Sequence, residues 1–210
     1  MFGFVREALR DIHHTGSVWP SSKQLAREMT RTLRSLPSPR RILEVGPGTG
    51  PFTRMLLPLL QSGDRLDLVE LNGVFCKELE KKLVRPFRAR NPDVTVEVHC
   101  AAIELAEIDG NYDVIVCGLP FNNFPPKLVR SIFKRLLALL RPGGELVYFE
   151  YAGVRMLKAS LSSPIKRDSL RRISAVGRGL RRRHEGHRKL VLGNLPPAFS
   201  VRLQKKKTAS

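Results

Sequence analysis

The sequence predicts an α/β fold, a doubly wound and mostly parallel seven-stranded sheet preceded by amphipathic helices. Three observations carry this. A short apolar run at residues 41–45 passes directly into the glycine-rich turn Gly46-Pro47-Gly48-Thr49-Gly50. Strand-length apolar segments then alternate, as far as Glu150, with segments whose apolar residues recur at helical spacing. Two last strand-like runs, 189–192 and 200–203, flank Gly193-Asn194-Leu195-Pro196-Pro197, which suits an antiparallel hairpin closing the sheet.

Taken in order, residues 1–14 place Phe2, Phe4, Val5, Ala8, Leu9 and Ile12 on one arc of a helix, with Arg6, Glu7, Arg10, Asp11, His13 and His14 opposite. Such a helix either lies at the headgroup boundary of a bilayer or packs its apolar face on the sheet, and periodicity does not separate the two. A loop with Gly16, Trp19 and Pro20 leads to a second helix, 22–36, that opens on a serine cap and stops before Pro37. Strands are expected at 41–45, 65–70, 94–98, 112–117 and 144–150. Asn72 caps a helix over 73–84, and a helix over 126–140 ends at Pro142-Gly143-Gly144. Basic helical stretches follow Tyr151 to about residue 180, and Lys205-Lys206-Lys207 opens a disordered tail at 205–210.

A chain of 210 residues supports one α/β domain, residues 37–204, with a small N-terminal appendage at 1–36. No run of 18 apolar residues is present to span a membrane, and four charges near the start argue against a signal peptide. Three cysteines without a C-x-x-C pair suggest reduced thiols in a cytoplasm. His184 and His187 have metal-ligand spacing, but no further ligands accompany them, and no metal is expected. The net charge is +18, of which residues 151–210 carry +14, from 16 Lys/Arg against Asp168 and Glu185. That concentration points to a polyanion, either nucleic acid or an anionic membrane face.

The glycine turn narrows the chemistry. Ile42, Leu43 and Val45 suit a strand covered on both faces, Pro51 suits the first position of a helix, and Glu44 places a carboxylate at the ligand-binding edge. A dinucleotide site wants G-x-G-x-x-G, whereas this turn reads G-x-G-x-G behind an acid that would repel a phosphate. An amino group or a sulfonium suits that acid. S-adenosylmethionine has both and no phosphate. Glu70 follows about 20 residues later, at a strand end where it can hold a ribose diol. The run resembles the first motif of class I S-adenosylmethionine-dependent methyltransferases, whose fold is Rossmann-like. The resemblance implies a cofactor site of Glu44, Gly46, Gly48, Gly50, Glu70, Leu71, Ala102, Gly118, Leu119 and Pro120. Where that family often carries an acid against the adenine amine this chain has Ala101, so backbone groups are expected there.

The fourth strand runs into Gly118-Leu119-Pro120-Phe121-Asn122-Asn123, at the edge that would face the methyl donor. Asn122 and Asn123 offer amide oxygens to an amine, or cap the following helix. Glu150, Tyr151 or water are the candidate proton acceptors. Glu-Val-Gly-Pro-Gly-Thr-Gly with Leu-Pro-Phe-Asn looks like ribosomal RNA adenine dimethyltransferases, except that Gly118 replaces their amine-orienting asparagine. A fuller resemblance, spanning nearly the whole chain, is to short bacterial phospholipid N-methyltransferases and related ornithine-lipid N-methyltransferases. It rests on the amphipathic start, Gly16-Ser17-Val18-Trp19-Pro20-Ser21-Ser22, the Gly-Leu-Pro turn, the basic C-terminal helices and Asn194-Leu195-Pro196-Pro197-Ala198. It implies a peripheral enzyme on the inner face of the cell membrane that methylates the amine head group of a lipid and uses no nucleic acid. Ser21 and Ser22 would line the cofactor entrance, and Phe2, Phe4, Trp19, Asn123 and Arg183 would meet membrane or substrate.

Overall fold

The computed structural model describes residues 21–152 and 164–207, and for residues 164–167 the backbone alone. The expected helix 1–14, with Phe2 and Phe4, and the loop carrying Trp19 lie outside the described residues. Seven strands form one sheet: β1 (Arg41–Val45), β2 (Arg65–Glu70), β3 (Thr95–Cys100), β4 (Tyr112–Cys117), β5 (Leu140–Tyr151), β6 (His187–Val191) and β7 (Ala198–Gln204). Their order across the sheet is β3-β2-β1-β4-β5-β7-β6, with β7 antiparallel to both neighbours. The central strands are apolar almost throughout because both faces are covered. Ile42, Leu43, Val114, Ile115, Val116 and Cys117 are all buried.

Helices α1 (Lys23–Met29), α2 (Thr53–Leu56), α3 (Gly73–Leu79), α4 (Arg85–Arg88), α5 (Pro126–Leu139) and α6 (Pro164–Arg183) cover the sheet. Val129, Phe133 and Leu136 of α5 and Ile173 of α6 pack on one face, with Ile115 and Tyr148. Leu25 and Met29 of α1 pack on the other, with Val147, Phe149 and Val191. No helix among the described residues is long and apolar enough to cross a membrane.

Element boundaries depart from expectation where side chains or proline compete with the backbone pattern. Ser22 caps α1 by accepting from the Leu25 N–H at 3.1 Å, but the α-helix stops at Met29 and tightens to a 3₁₀ turn over Arg31–Arg34. There the Thr30 hydroxyl donates back to the Ala26 carbonyl at 2.9 Å. Asn72 caps α3 as expected, yet helical structure runs past residue 84. A π-helical turn over Glu80–Val84 absorbs Pro86, which has no N–H, and the chain stays helical to Arg88. β5 begins at Leu140, not 144. Between the pairs Tyr112↔Leu140 and Val114↔Glu145 it accommodates Pro142-Gly143-Gly144 as a bulge. Pro51 precedes α2 by two residues and does not open it. Lys205 is no free tail: its carbonyl accepts from the Gly143 N–H at 2.8 Å, and its N–H donates to Gly144 at 2.9 Å.

Candidate active site

The ladder extends beyond the strands and draws two turns together. Gly46 N–H donates to the Val69 carbonyl at 2.9 Å, and Gly118 N–H donates to the Val45 carbonyl at 2.7 Å. Position 118 takes only glycine at this spacing, since a Cβ would stand 2.7 Å from the Gly46 carbonyl oxygen and 3.3 Å from the Phe52 ring. Gly48 has φ +56° and open space where its Cβ would be, so it borders a recess without filling it. The recess is a cleft of about 110 Å³ at the C-terminal ends of β1, β2 and β4, and Gly46, Gly48, Glu70, Leu71, Ala102 and Leu119 are among the residues lining it.

Its electrostatics are local. Although the chain carries +18, no lysine or arginine among the described residues lines this cleft, whereas Glu70 and Glu104 do. Glu70 accepts from the Gly48 N–H at 2.9 Å and from the Asn72 N–H at 2.8 Å, one bond on each oxygen. Each oxygen keeps a further lone pair for a hydroxyl. Glu44 is fully buried. Its Oε2 accepts from the Thr53 hydroxyl at 2.7 Å, while its Oε1 finds no partner. Burial pushes the Glu44 carboxyl up to about 8; Thr53 opposes the shift and the Glu70 charge adds to it. The described residues lining the cleft fit S-adenosylmethionine: an acid for a diol, an open glycine cradle, and among them no cation to attract a phosphate. Glu44, expected in this set, is fully buried beneath the turn and does not line the cleft.

Pro120 also lines a second, larger cavity of about 290 Å³. Its walls bring together Asn122, Glu150 and Tyr151 with Arg178 and Arg181 of α6 and Arg188 of β6. Arg181 pairs with Glu150 Oε1 at 3.1 Å, and the Tyr148 hydroxyl donates to the same oxygen at 3.2 Å. Arg188 lies over the Phe199 ring at 4.6 Å. Phe121, Phe133 and Tyr148 form an aromatic wall, with ring centroids 4.5–5.9 Å apart. Gly177 lets α6 approach, since a Cβ there would lie 2.8 Å from Glu150 Oε1.

A family described as a methyltransferase domain matches residues 42–144, the stretch that builds the cleft. Over that stretch the chain is similar to a methyltransferase domain, and its fold is the Rossmann-like one of S-adenosylmethionine-dependent methyltransferases. It is 30% identical over 137 residues to an ornithine lipid N-methyltransferase of Singulisphaera acidiphila, a match covering 61% of this chain and 66% of that protein. It is 34% identical over 102 residues to a ribosomal RNA small subunit methyltransferase A of Acidothermus cellulolyticus, covering 47% of this chain and 32% of that one. The chain thus spans about two thirds of the first relative's length and a third of the second's. Among solved structures, the O-methyltransferase TomG of Streptomyces achromogenes, in complex with S-adenosylmethionine, superposes with a TM-score of 0.63 at 17% identity. That likeness covers 95% of this chain and 88% of that one and concerns the fold.

Several expected site residues stand apart from the cleft. Gly50 faces helix α3, where a Cβ would meet Leu83 at 2.6 Å and Leu79 at 3.2 Å, so it shapes the turn without lining the cleft. Ser21 and Ser22 do not line the cleft either: the Ser22 hydroxyl caps α1, and its N–H donates to Asn194 Oδ1 at 2.8 Å. Asn123 lines neither space, and neither asparagine caps α5, whose cap position is Pro125. Arg183 lies at the far end of α6, next to His184, whose carbonyl meets Gln204 at the strand-start edge; the helix contributes Arg178 and Arg181 to the cavity instead. Tyr151 lines the second cavity, and burial raises its phenol above its ordinary value. Thr53, Phe75, Ile103 and Glu104 were not anticipated, because nothing in their spacing distinguishes them from ordinary core or loop residues. Asp67, Glu97 and His99 come within metal-ligand distance of one another. Arg65 pairs with both acids, at 2.9 Å and 2.6 Å, and already supplies the positive charge.

Proposed function

We propose that this protein is an S-adenosylmethionine-dependent N-methyltransferase acting on the amine head group of a membrane lipid at the cytoplasmic membrane surface. The observation that carries the reading is the larger cavity. It joins the cofactor cleft at Pro120 and holds Glu150 together with Arg178, Arg181 and Arg188. A head group with an amine beside a phosphate or carboxylate needs both signs in one space, and so does the amino-acid head group of ornithine lipid. S-adenosylmethionine, when bound, supplies a methyl group already activated on a sulfonium. The chain's task is then alignment and release of the amine from its proton.

An alkyl ammonium has a pKa near 10, so the site must favour the free amine. Arg178 and Arg188 hold the anionic part of the head group, while Glu150, oriented by Arg181 and Tyr148, and the Asn122 amide hold the amine toward Pro120. Tyr151 remains a phenol and lends polarity only, and the proton leaves to water. The likeness to the Singulisphaera acidiphila lipid enzyme supports this substrate class. A second reading, adenine N-methylation in RNA, draws on the 34% identity to a ribosomal RNA methyltransferase. Against it, position 118 has no room for the asparagine that the resemblance associates with such enzymes.

The test offers methyl-labelled S-adenosylmethionine with phosphatidylethanolamine or ornithine lipid in detergent micelles, and ribosomal RNA in parallel. Label in one lipid supports the reading and names the head group. Label in RNA alone overturns it.

A further inference from the structure

The hairpin joining β6 to β7 carries an apolar tip that nothing in the described molecule covers. Leu192 is 71% exposed and Leu195 65%, with Leu190 beside them at 44%. The tip is held rigidly. Asn194, between the two leucines, is buried; it accepts from the Ser22 N–H at 2.8 Å and donates to the Pro196 carbonyl at 2.8 Å. Ala152 N–H donates to the Pro197 carbonyl at 2.6 Å, which ties the loop to the end of β5. Because β7 starts opposite Tyr151, the tip stands at the same sheet edge as the cleft and the larger cavity. No acid occurs after Glu185, and Lys23, Arg178, Arg188 and Lys189 are exposed around this edge.

From this placement we infer that the β6–β7 loop is the element that inserts into an anionic bilayer and sets the mouth of the larger cavity on the lipid surface. The inference rests on the lipid reading above. Two leucines at a rigid tip enter the acyl boundary while the flanking cations meet anionic head groups. A second copy of this chain would oppose like charges across the contact, and a polyanionic nucleic acid gives the leucines no partner.

The experiment compares the full-length protein with Leu192→Glu/Leu195→Glu and Leu192→Phe/Leu195→Phe. Each is sedimented with vesicles of phosphatidylcholine and phosphatidylglycerol, melted, and assayed on lipid dissolved in detergent micelles. The charged variant is expected to bind vesicles about tenfold more weakly or worse, at about 1.4 kcal/mol per tenfold, with melting and micellar methylation unchanged. The Phe variant should bind as wild type. Wild-type binding by the charged variant overturns the inference, as does a change confined to its self-association. Lipid methylation in micelles without vesicle binding by any variant also overturns it and leaves the lipid reading standing. Vesicle binding lost in the charged variant, with no lipid methylated, upholds the loop and defeats the reading.

Discussion

The cleft built by β1, β2 and β4 and the cavity built by β5, α6, β6 and β7 meet at Pro120, and they are opposites in charge and in origin. Among the described residues, the cleft has two acids at its walls and no cation, and the cavity has three arginines against Glu150. Every described residue lining the cleft falls between Val45 and Ile132, inside the stretch 42–144 matched by the methyltransferase-domain family, whereas the cavity wall continues to Phe199. Family likeness therefore speaks for the donor half, and the acceptor half must be argued from its own side chains. The difference also shows that net charge is a poor guide to a buried site. In a chain at +18, the described residues lining the cofactor cleft include no basic side chain, because backbone turns and core strands line it.

The comparison breaks most visibly at Glu44. Burial favours its neutral form, so between the unfolded value of 4.5 and the folded value of about 8 the folded state keeps a proton that the unfolded state has released. Its contribution is full below 4.5 and is lost as pH rises toward about 8, at about 1.4 kcal/mol per pH unit across that window. Glu44→Gln should remove that decline and stabilise the protein by several kcal/mol at pH 9 relative to wild type. Urea melts across pH read the effect. A variant whose stability falls with pH as steeply as wild type would remove Glu44 from this role.

A smaller loss is expected at Glu70. Glu70→Ala deletes a charged acceptor of the cleft and should raise the cofactor Kd about a hundredfold, at ~1.5–3 kcal/mol per charged hydrogen bond. Affinity for a non-reacting head-group analogue should stay within twofold, about 0.4 kcal/mol. Gly118→Ala drives a methyl group against the Gly46 carbonyl and should cost about 1–3 kcal/mol by overpacking, seen as a Tm lowered by several degrees. On the other side of Pro120 the effect is smaller again. Arg178→Gln should raise the acceptor KM about tenfold, or ~1.4 kcal/mol, with the cofactor Kd unchanged. Equal effects of Arg178 and Glu70 on both ligands would dissolve the division between the two regions.

Much of the donor half was legible in the sequence, because its logic is local. Glu44, the glycines and Glu70 sit at fixed spacing around one turn, and strand ends carry them to one edge. Gly50 does not line the cleft, yet three glycines alternating in one turn look alike in a sequence; only packing against Leu79 and Leu83 separates the third. The acceptor half depends on pairings distant in sequence. Arg181 meets Glu150 across 31 residues, and whether Arg178, Arg181 or Arg183 faces the sheet depends on the rotation and length of α6, which a basic run does not specify. Thr53 escaped notice for the same reason, since its hydroxyl finds Glu44 only once α2 has packed.

The strand order has a consequence for how the molecule assembles. β7 follows β6 in the chain but lies between β6 and β5. Strands β1 to β5 can therefore form a parallel sheet with a finished cofactor end before β7 pairs. The acceptor end cannot, because it waits for two distant segments to close around one late strand. The entry of β7 also supplies Arg202, which pairs with Glu145 of β5 at 2.7 Å and with Glu28 of α1 at 3.6 Å. Those contacts span 57 and 174 residues, and closing loops of that length costs conformational entropy. The strand order thus leaves the donor end complete without β7, whereas the acceptor end is not.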